Sequence, residues 1–398
     1  MTAATTVRLG EVASINPKLP QRPAPDDAVS FVPMSAVDQE TGVVSGSETR
    51  PFGEVSKGYT TFLDGDILVG KITPCFENGK IGHARLKNKV GVGSTEFHVV
   101  RPHPGRADAR YLLHMLRQPW IRVAGERRMT GSAGQRRVPQ EFVADLKVHL
   151  PLLEEQRRIA DVLDRVDTLR AWRQQAVAEL DALASSVFTE LLAEVLNSSG
   201  CTSRNLGDVA DIASGITKGR KAPAGSVREV PYLAVANVQD RRLDLSGVKY
   251  IEATDGEVER YRLRMDDLVL TEGGDPDKLG RGSLWRCEFP EAIHQNHIFR
   301  VRIDDAGRVH PVYLNWLISS AYGKRYFLRS AKQTTGIASI NMSQLRRFPV
   351  AVPDYDVQKK FAEQVDGIER SKAVQRRALG ELDALFASLQ HRAFRGEL

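Results

Sequence analysis

Glu179-Leu180-Asp181-Ala182-Leu183 returns unchanged, 202 residues further along, as Glu381-Leu382-Asp383-Ala384-Leu385. Working outward from it, residues 151–188 and 353–390 align at that offset without a gap and agree at 12 of 38 positions, Pro151 with Pro353 and Gln156 with Gln358 among them. An internal duplication of this kind argues for a repeat architecture rather than one large domain. Both stretches carry apolar residues at alternating steps of four and three, the pattern of a long amphipathic helix. The first seam is Ile159, Leu163, Val166, Val177, Leu180, Ala184 and Val187, and the second is Phe361, Val365, Ile368, Leu379, Leu382, Phe386 and Leu389. Pro stands at each entry and nowhere inside, and Glu, Arg, Gln, Ala and Leu dominate, residues that lose little freedom in a helix. Two matched seams favour each other as partners in an antiparallel coiled coil. Arg170, Arg173, Lys372 and Gln375 sit in mid-seam, where polar residues weaken a coiled coil and fix its register.

The segments before each helix echo one another more faintly. Leu9-Gly10-Glu11-Val12-Ala13 returns as Leu206-Gly207-Asp208-Val209-Ala210, Asp66-Ile67-Leu68-Val69 as Asp267-Leu268-Val269-Leu270, and Tyr111-Leu112 as Tyr313-Leu314. The rising offset implies insertions in the second copy. Short apolar runs such as 66–70, 97–100 and 299–303 lie between Gly, Pro and Asp turns and predict strands, while 111–123 and 312–328 predict helices. The fold class is therefore α+β: two α+β domains, residues 1–150 and 201–352, separated by long helices at 151–200 and 353–398.

A chain of 398 residues with 41% hydrophobic and 27% charged residues is neither a single small domain nor a disordered one. No run is apolar enough to span a bilayer and the start lacks a signal-peptide core, so a cytoplasmic location without membrane partners is expected. Cys75, Cys201 and Cys287 lie far apart and suit reduced core thiols better than a disulfide framework or a zinc site.

Motifs for catalysis fail one after another. Gly65 to Ile72 nearly spells a phosphate-binding loop, but Ile72 stands where a hydroxyl would hold magnesium, and Ile67, Leu68 and Val69 suit a buried strand. His294 and His297 find no third ligand and fit a satisfied polar pair or DNA contacts better than a metal site. Ser132 lacks the spacing of a nucleophile elbow, and no glycine fingerprint for a dinucleotide or methyl donor is present. Catalytic and metal-binding residues are thus none. The best remaining case for a metal-dependent nuclease is the carboxylates near Asp145, and a helical scaffold with incidental basic loops is the other rival.

Basic residues cluster at matching places. Arg117, Arg122, Arg127, Arg128, Arg136 and Arg137 face a single acid, Glu126; Lys324, Arg325, Arg329, Lys332, Arg346 and Arg347 face none. Each cluster flanks a small-residue loop, 130–135 or 335–341, which lets backbone approach a phosphate chain while Gln135 or Asn341 offers the paired donor and acceptor that fit adenine. Lys71 and Lys80 mark a second candidate loop in the first body, and Lys218, Arg220 and Lys221 its counterpart in the second. The candidate DNA-binding set is Lys71, Lys80, Arg127, Arg128, Ser132, Gln135, Arg136, Arg137, Lys218, Arg220, Lys221, Lys332, Asn341 and Arg346.

In this order the motifs resemble the specificity subunits of type I restriction-modification enzymes, over nearly the whole chain. The resemblance rests on Lys71-Ile72-Thr73-Pro74-Cys75-Phe76-Glu77-Asn78-Gly79-Lys80, Gly93-Ser94-Thr95-Glu96-Phe97-His98-Val99-Val100-Arg101-Pro102, Gly131-Ser132-Ala133-Gly134-Gln135-Arg136-Arg137-Val138, Pro151-Leu152-Leu153-Glu154-Glu155-Gln156-Arg157 and Arg392-Ala393-Phe394-Arg395-Gly396-Glu397-Leu398. It implies two target-recognition domains, each reading half of an interrupted double-stranded DNA sequence. It implies as partners two modification subunits, which methylate adenine N6, and restriction subunits, which cleave. S-adenosylmethionine, ATP and magnesium would be bound by those partners, with no cofactor in this chain. Helices of 35–40 residues, at 1.5 Å per residue, reach about 50–60 Å, enough to set two readers about one DNA turn apart. The second body lacks the Thr-Pro-Cys-Phe loop and replaces Gly-Gln-Arg-Arg with 335–341, so its half-site should differ.

Overall fold

The computed structural model describes residues 5–44, 48–132, 134–198, 202–220, 226–275, 278–304, 307–334 and 337–398. Cys201 and Lys221, singled out above, lie outside them. Two long helices, Leu153–Asn197 of 45 residues and Tyr355–Ala393 of 39, are the largest elements. The chain divides into two compact units, Met1–Val177 with Val374–Leu398, and Ala178–Ala373. Each unit is thus one α+β body together with part of both helices, rather than a body alone, because the helices contribute side chains to the body cores.

In the first body Thr5–Arg8 pairs antiparallel with Lys147–Leu150, just ahead of the long helix. The main sheet runs in the order Ala13–Ile15, Phe97–Pro102, Ile67–Gly70, Ile81–His83, all antiparallel. Ile67, Leu68 and Val69 are all buried, as a strand covered on both faces requires. A second sheet runs Glu48–Pro51, Ala28–Val32, Val90–Gly93, Thr60–Leu63, with one parallel pair between Ala28–Val32 and Val90–Gly93. The helices Ala109–Leu116, Pro119–Glu126 and Gln140–Ala144 complete it.

The second body repeats this plan, with three strands instead of four in its second sheet among the described residues. Thr202–Asn205 pairs with Pro349–Val352. The main sheet is Ala210–Ser214, Ile298–Ile303, Leu268–Thr271, Gly282–Leu284, and the second is Lys249–Ala253, Arg228–Leu233, Ile293–His294, again with the parallel pair on its inner strand. The bodies that diverge in sequence therefore share one topology. The second adds a small sheet, Gly273–Gly274, Ile337–Ser339, Lys332–Thr334, so part of what the sequence suggests is a loop is a β-hairpin.

Each expected helical patch is two helices. Pro119 opens a new helix after Gln118 in an extended conformation, and Ser320 caps Ala321–Ser330 by accepting from the Gly323 N–H. The cysteines differ from expectation as well: Cys75 is only partly buried and Cys287 is exposed, with φ of 59°.

Within each unit the two long helices run antiparallel. In the first, Arg173 Nη1 donates to Gln375 Oε1 at 2.6 Å, and Arg170, three residues earlier, reaches Asp383 at 2.6 Å while lying 4.7 Å over the Phe386 ring. In the second, Lys372 meets Asp181 at 2.5 Å, and Phe188 stacks on Phe361 with ring centres 5.2 Å apart. The seam is uneven. Ile159, Leu163, Val166, Phe361 and Val365 are buried; Leu180, Ile368 and Leu382 are half-buried. Ile159 and Leu163 join the first body's core with Tyr111 and Leu112, and Phe361 and Val365 join the second's with Tyr313 and Leu314. Helices pack on bodies and on each other at once.

The same polar clamp fastens both helices. Gln156, fully buried, donates from Nε2 to the carbonyls of Arg106 (3.0 Å) and Pro151 (2.9 Å) and accepts at Oε1 from the Asp108 N–H (2.9 Å). Gln358 does likewise with Arg308 (3.1 Å), Pro353 (2.8 Å) and the His310 N–H (2.9 Å). Tyr111 and Tyr313 donate in parallel to the carbonyls of His149 and Ala351. Gln156→Ala and Gln358→Ala each leave three partly buried backbone groups without their partner and should cost about 2–4 kcal/mol in the unit concerned, measured by urea unfolding; a loss below about 0.5 kcal/mol would show that the clamp is dispensable.

His294 supplies a pH signature. It is 1% exposed, its Nδ1 lies 3.1 Å from the Tyr261 carbonyl, and burial pushes its imidazole down to about 4. The folded state thus favours the neutral ring. That contribution is complete above the ordinary value of 6.5 and is lost as pH falls toward 4, up to about 3 kcal/mol. His294→Gln should flatten the fall in unfolding midpoint between pH 6.5 and 4; an unchanged slope would assign the acid sensitivity elsewhere.

Candidate nucleic-acid interface

In the first body the strand Ile67–Gly70 ends the sheet's central run, and the segment 71–80 folds back on itself, with Asn78 N–H donating to the Pro74 carbonyl and Lys80 N–H to Cys75. The segment 130–138 docks on it. Thr73 N–H donates to the Arg136 carbonyl at 2.9 Å and Val138 N–H to that of Lys71 at 2.9 Å, while Thr130 and Arg137 exchange backbone hydrogen bonds of 3.0 and 2.8 Å. Gly131 makes this turn possible: its φ is 133°, and a Cβ there would lie 2.6 Å from the Gln135 carbonyl oxygen. The two loops singled out by sequence thus form one ridge.

Their charged side chains divide into two groups. Arg137 is held by Glu96 through Nε and Nη2 at 2.9 and 2.8 Å, and this pairing keeps the Glu96 carboxyl below its ordinary range. Arg136 Nη2 lies 3.6 Å from Glu77, whose carboxylate also accepts from the Thr73 hydroxyl at 2.9 Å. Arg127, Arg128, Ser132 and Gln135 are exposed, and no side-chain hydrogen bond engages them among the described residues; Lys71 is partly buried and likewise unengaged. Lys80 points elsewhere. Its ammonium donates to the carbonyls of Met34 (3.2 Å) and Val37 (3.1 Å), which makes it a strut of the body instead of a free contact.

The second body corrects more of the sequence assignment. Arg220 forms a two-pronged pair with Glu257, both contacts 2.8 Å, and reaches the Glu252 carbonyl, holding the Glu257 carboxyl down at about 2. Asn341 is spent as the N-cap of Met342–Arg346, accepting from the Gln344 N–H at 2.9 Å while Gln344 Oε1 takes the Asn341 N–H at 2.7 Å. Arg346 is exposed and lies 3.4 Å from the Ile212 carbonyl. Lys218 is exposed; Lys332 belongs to a strand, but its side chain is outside the described residues.

Topology also moves the counterpart of 71–80. It is not 218–221, which follows the strand Ala210–Ser214, but 272–281, which follows Leu268–Thr271 as 71–80 follows Ile67–Gly70. Glu272, Lys278 and Arg281 were missed; His297, read in the sequence beside His294 as a polar pair or DNA contact, stands on the facing turn. Extending the Asp66/Asp267 alignment by five residues sets Glu272 against Lys71 and would have pointed to the segment. His294 and His297 do not form a pair: the first is buried against Tyr261, the second is exposed with Nδ1 2.6 Å from Glu272 Oε2. Asp145 forms an ion pair with Arg8 at 3.1 Å, and among the described residues no three His, Cys, Asp or Glu side chains are grouped to hold a metal.

Two α+β bodies of one topology thus each carry a polar surface ridge of its own composition. Residues 2–181 match the family model for the type I restriction modification DNA specificity domain. It is 41% identical over 194 residues to the EcoEI specificity subunit of Escherichia coli, a stretch that covers 48% of this chain and 32% of that protein, so the match spans about a third of the relative's length. To the StySPI specificity subunit of Salmonella potsdam it is 25% identical over 341 residues, 80% of this chain and 72% of that one. The crystal structure of the type I restriction-modification S subunit from M. genitalium shares the fold, with a TM-score of 0.58 at 14% identity over 98% of this chain and 96% of that one. Among the described residues no helix is long and apolar enough to cross a membrane.

The corrected roles are testable. Lys80→Met should lower the stability of the first unit by about 1–3 kcal/mol in thermal or urea unfolding, because two carbonyls lose their charged donor; unaltered unfolding with weakened DNA binding would return Lys80 to the contact surface.

Proposed function

We propose that this chain is the noncatalytic sequence-specificity subunit of a type I restriction-modification enzyme. Each body reads one half of an interrupted target in duplex DNA, and the chain directs adenine-N6 methylation by two modification subunits and cleavage by restriction subunits. The observation that carries the reading is the repetition of one fold with unlike ridges at the same place in each copy. A shared scaffold with divergent surfaces suits two different half-sites. In the first body Arg127 and Arg128 supply charge for phosphates, Arg136 and Gln135 stand nearer the base edges, and Lys71 lies beside them. In the second body Lys218, Lys332 and Arg346 are the phosphate candidates. S-adenosylmethionine, ATP and magnesium act in the partner subunits. The long helices, with their half-buried residues Leu180, Ile368 and Leu382, offer the surface on which modification subunits assemble.

The deciding experiment is to combine the chain with its modification subunits, expose DNA to the complex and map the methylated adenines. One interrupted motif is expected; methylation without sequence preference would end the proposal. Arg127→Ala and Arg128→Ala should weaken binding about equally on all sequences and reduce the salt dependence of log K by roughly one for each phosphate left without its arginine, without preventing assembly. An unaltered salt slope in both variants would remove these arginines from the interface.

A further inference from the structure

Three backbone segments meet in the same way in both bodies. In the first, Lys71 N–H donates to the Glu96 carbonyl at 2.8 Å and Val138 N–H to the Lys71 carbonyl at 2.9 Å. In the second, Glu272 N–H donates to the His297 carbonyl at 3.0 Å and Ile340 N–H to the Glu272 carbonyl at 2.9 Å. The flanking strand pairs, Gly70 with Phe97 and Thr271 with Ile298, fix the register. Lys71, Glu96 and Arg137 therefore occupy the positions of Glu272, His297 and Ser339.

The chemistry on this common frame is inverted. In the first body the carboxylate sits on the turn, at Glu96, and grips the Nε and Nη2 groups of Arg137, while one Nη1 hydrogen is directed to the Gln135 carbonyl at 3.3 Å. The guanidinium keeps its outer Nη1–Nη2 edge, two parallel donors, with the side chain 42% exposed. A fork of this kind, already fixed in place, matches the N7 and O6 acceptors of guanine in the major groove. In the second body the carboxylate moves to the strand end, at Glu272, and accepts from His297 Nδ1, with side chains 34% and 58% exposed. Glu272 Oε1, without a hydrogen bond of its own among the described residues, remains an acceptor. Ser339 replaces the arginine. Glu272 thus offers an acceptor here, which suits the N4 amino group of cytosine.

We infer that these equivalent positions are a base-reading point in each half-site: Arg137, positioned by Glu96, takes a guanine, and Glu272, positioned with His297, takes a cytosine amino group. The inference rests on the DNA-specificity reading above and adds to it which residues discriminate and for which base edges.

The test uses the full chain in complex with its modification subunits and compares methylated motifs on a randomised duplex library. Arg137→Ala should relax one guanine position of one half-site, with a roughly tenfold or greater loss of discrimination, and leave the other half-site intact. Arg137→Lys, which keeps the charge but not the fork, should relax the same position, and Glu96→Gln should do so to a lesser degree. Glu272→Gln, isosteric and partly exposed, should relax a cytosine position in the other half-site only, and it keeps the test open should Arg137→Ala lower stability. Uniform weakening on every sequence, with a reduced salt slope, would make Arg137 a phosphate clamp and overturn the inference while the wild-type motif still upholds the function. Unaltered motifs, or relaxation at a different base, would overturn it as well. A wild-type complex with no motif would overturn both.

Discussion

A buried amide holds each half of this molecule together. Gln156 and Gln358 sit in the first turns of the long helices, and each links three backbone groups of the body and of the helix entry with its one acceptor and two donors. A neutral amide suits the place: a buried charge would need a partner, and an apolar side chain would leave carbonyls and an N–H without one. Because the clamp fixes where the helix leaves the body, the apolar residues one and two turns on, Ile159 and Leu163 or Phe361 and Val365, enter the core at a set depth. The pairing of the helices within each unit follows from that placement.

The bodies show which constraints a recognition domain must keep and which it can release. Buried pairs are kept: Asp66 binds Arg101 through both oxygens and Asp267 binds Arg302 in the same way, each carboxylate also accepting a backbone N–H at the turn before its strand. These stand at the start of the central strand, at the end away from the ridge. At the strand's far end the backbone hydrogen bonds persist while the side chains change from Lys71, Glu96 and Arg137 to Glu272, His297 and Ser339. Geometry is fixed by main chain, and chemistry is free to vary.

The sequence discloses these levels unequally. The helices were legible because a seam periodic over many turns and 12 identities in 38 positions leave little latitude. The central strands were legible from their apolar runs. That the bodies share a topology was not, since strand pairing depends on alternation and burial, which unrelated side chains satisfy equally well. In the ridge, a basic residue in sequence does not say whether it faces solvent or an internal acceptor. Lys80 and Arg220 found internal partners, and only the folded arrangement brings Met34, Val37 or Glu257 beside them. Asn341 is the exception. Asn341-x-x-Gln344 ahead of a short helix is a capping pattern that can be read directly in the residue order, and it argues against a base reader at that position.

The pairing of arginines with carboxylates bears on how such a protein balances affinity against selectivity. An unpaired arginine binds any phosphate, and a surface made only of these would hold all DNA tightly, raising non-specific binding along with specific. Glu96 and Glu77 offset part of the positive charge at Arg137 and Arg136, and the whole chain carries a formal charge of only +6. The carboxylates repel a phosphate that comes to the same spot, while a base edge with neutral acceptors meets a guanidinium already oriented and owes little entropy for ordering it. Arg127 and Arg128, free of such partners among the described residues, remain available for the backbone. On the proposed function, such a division of labour between paired and unpaired arginines would let one ridge hold DNA loosely everywhere and tightly where the bases fit.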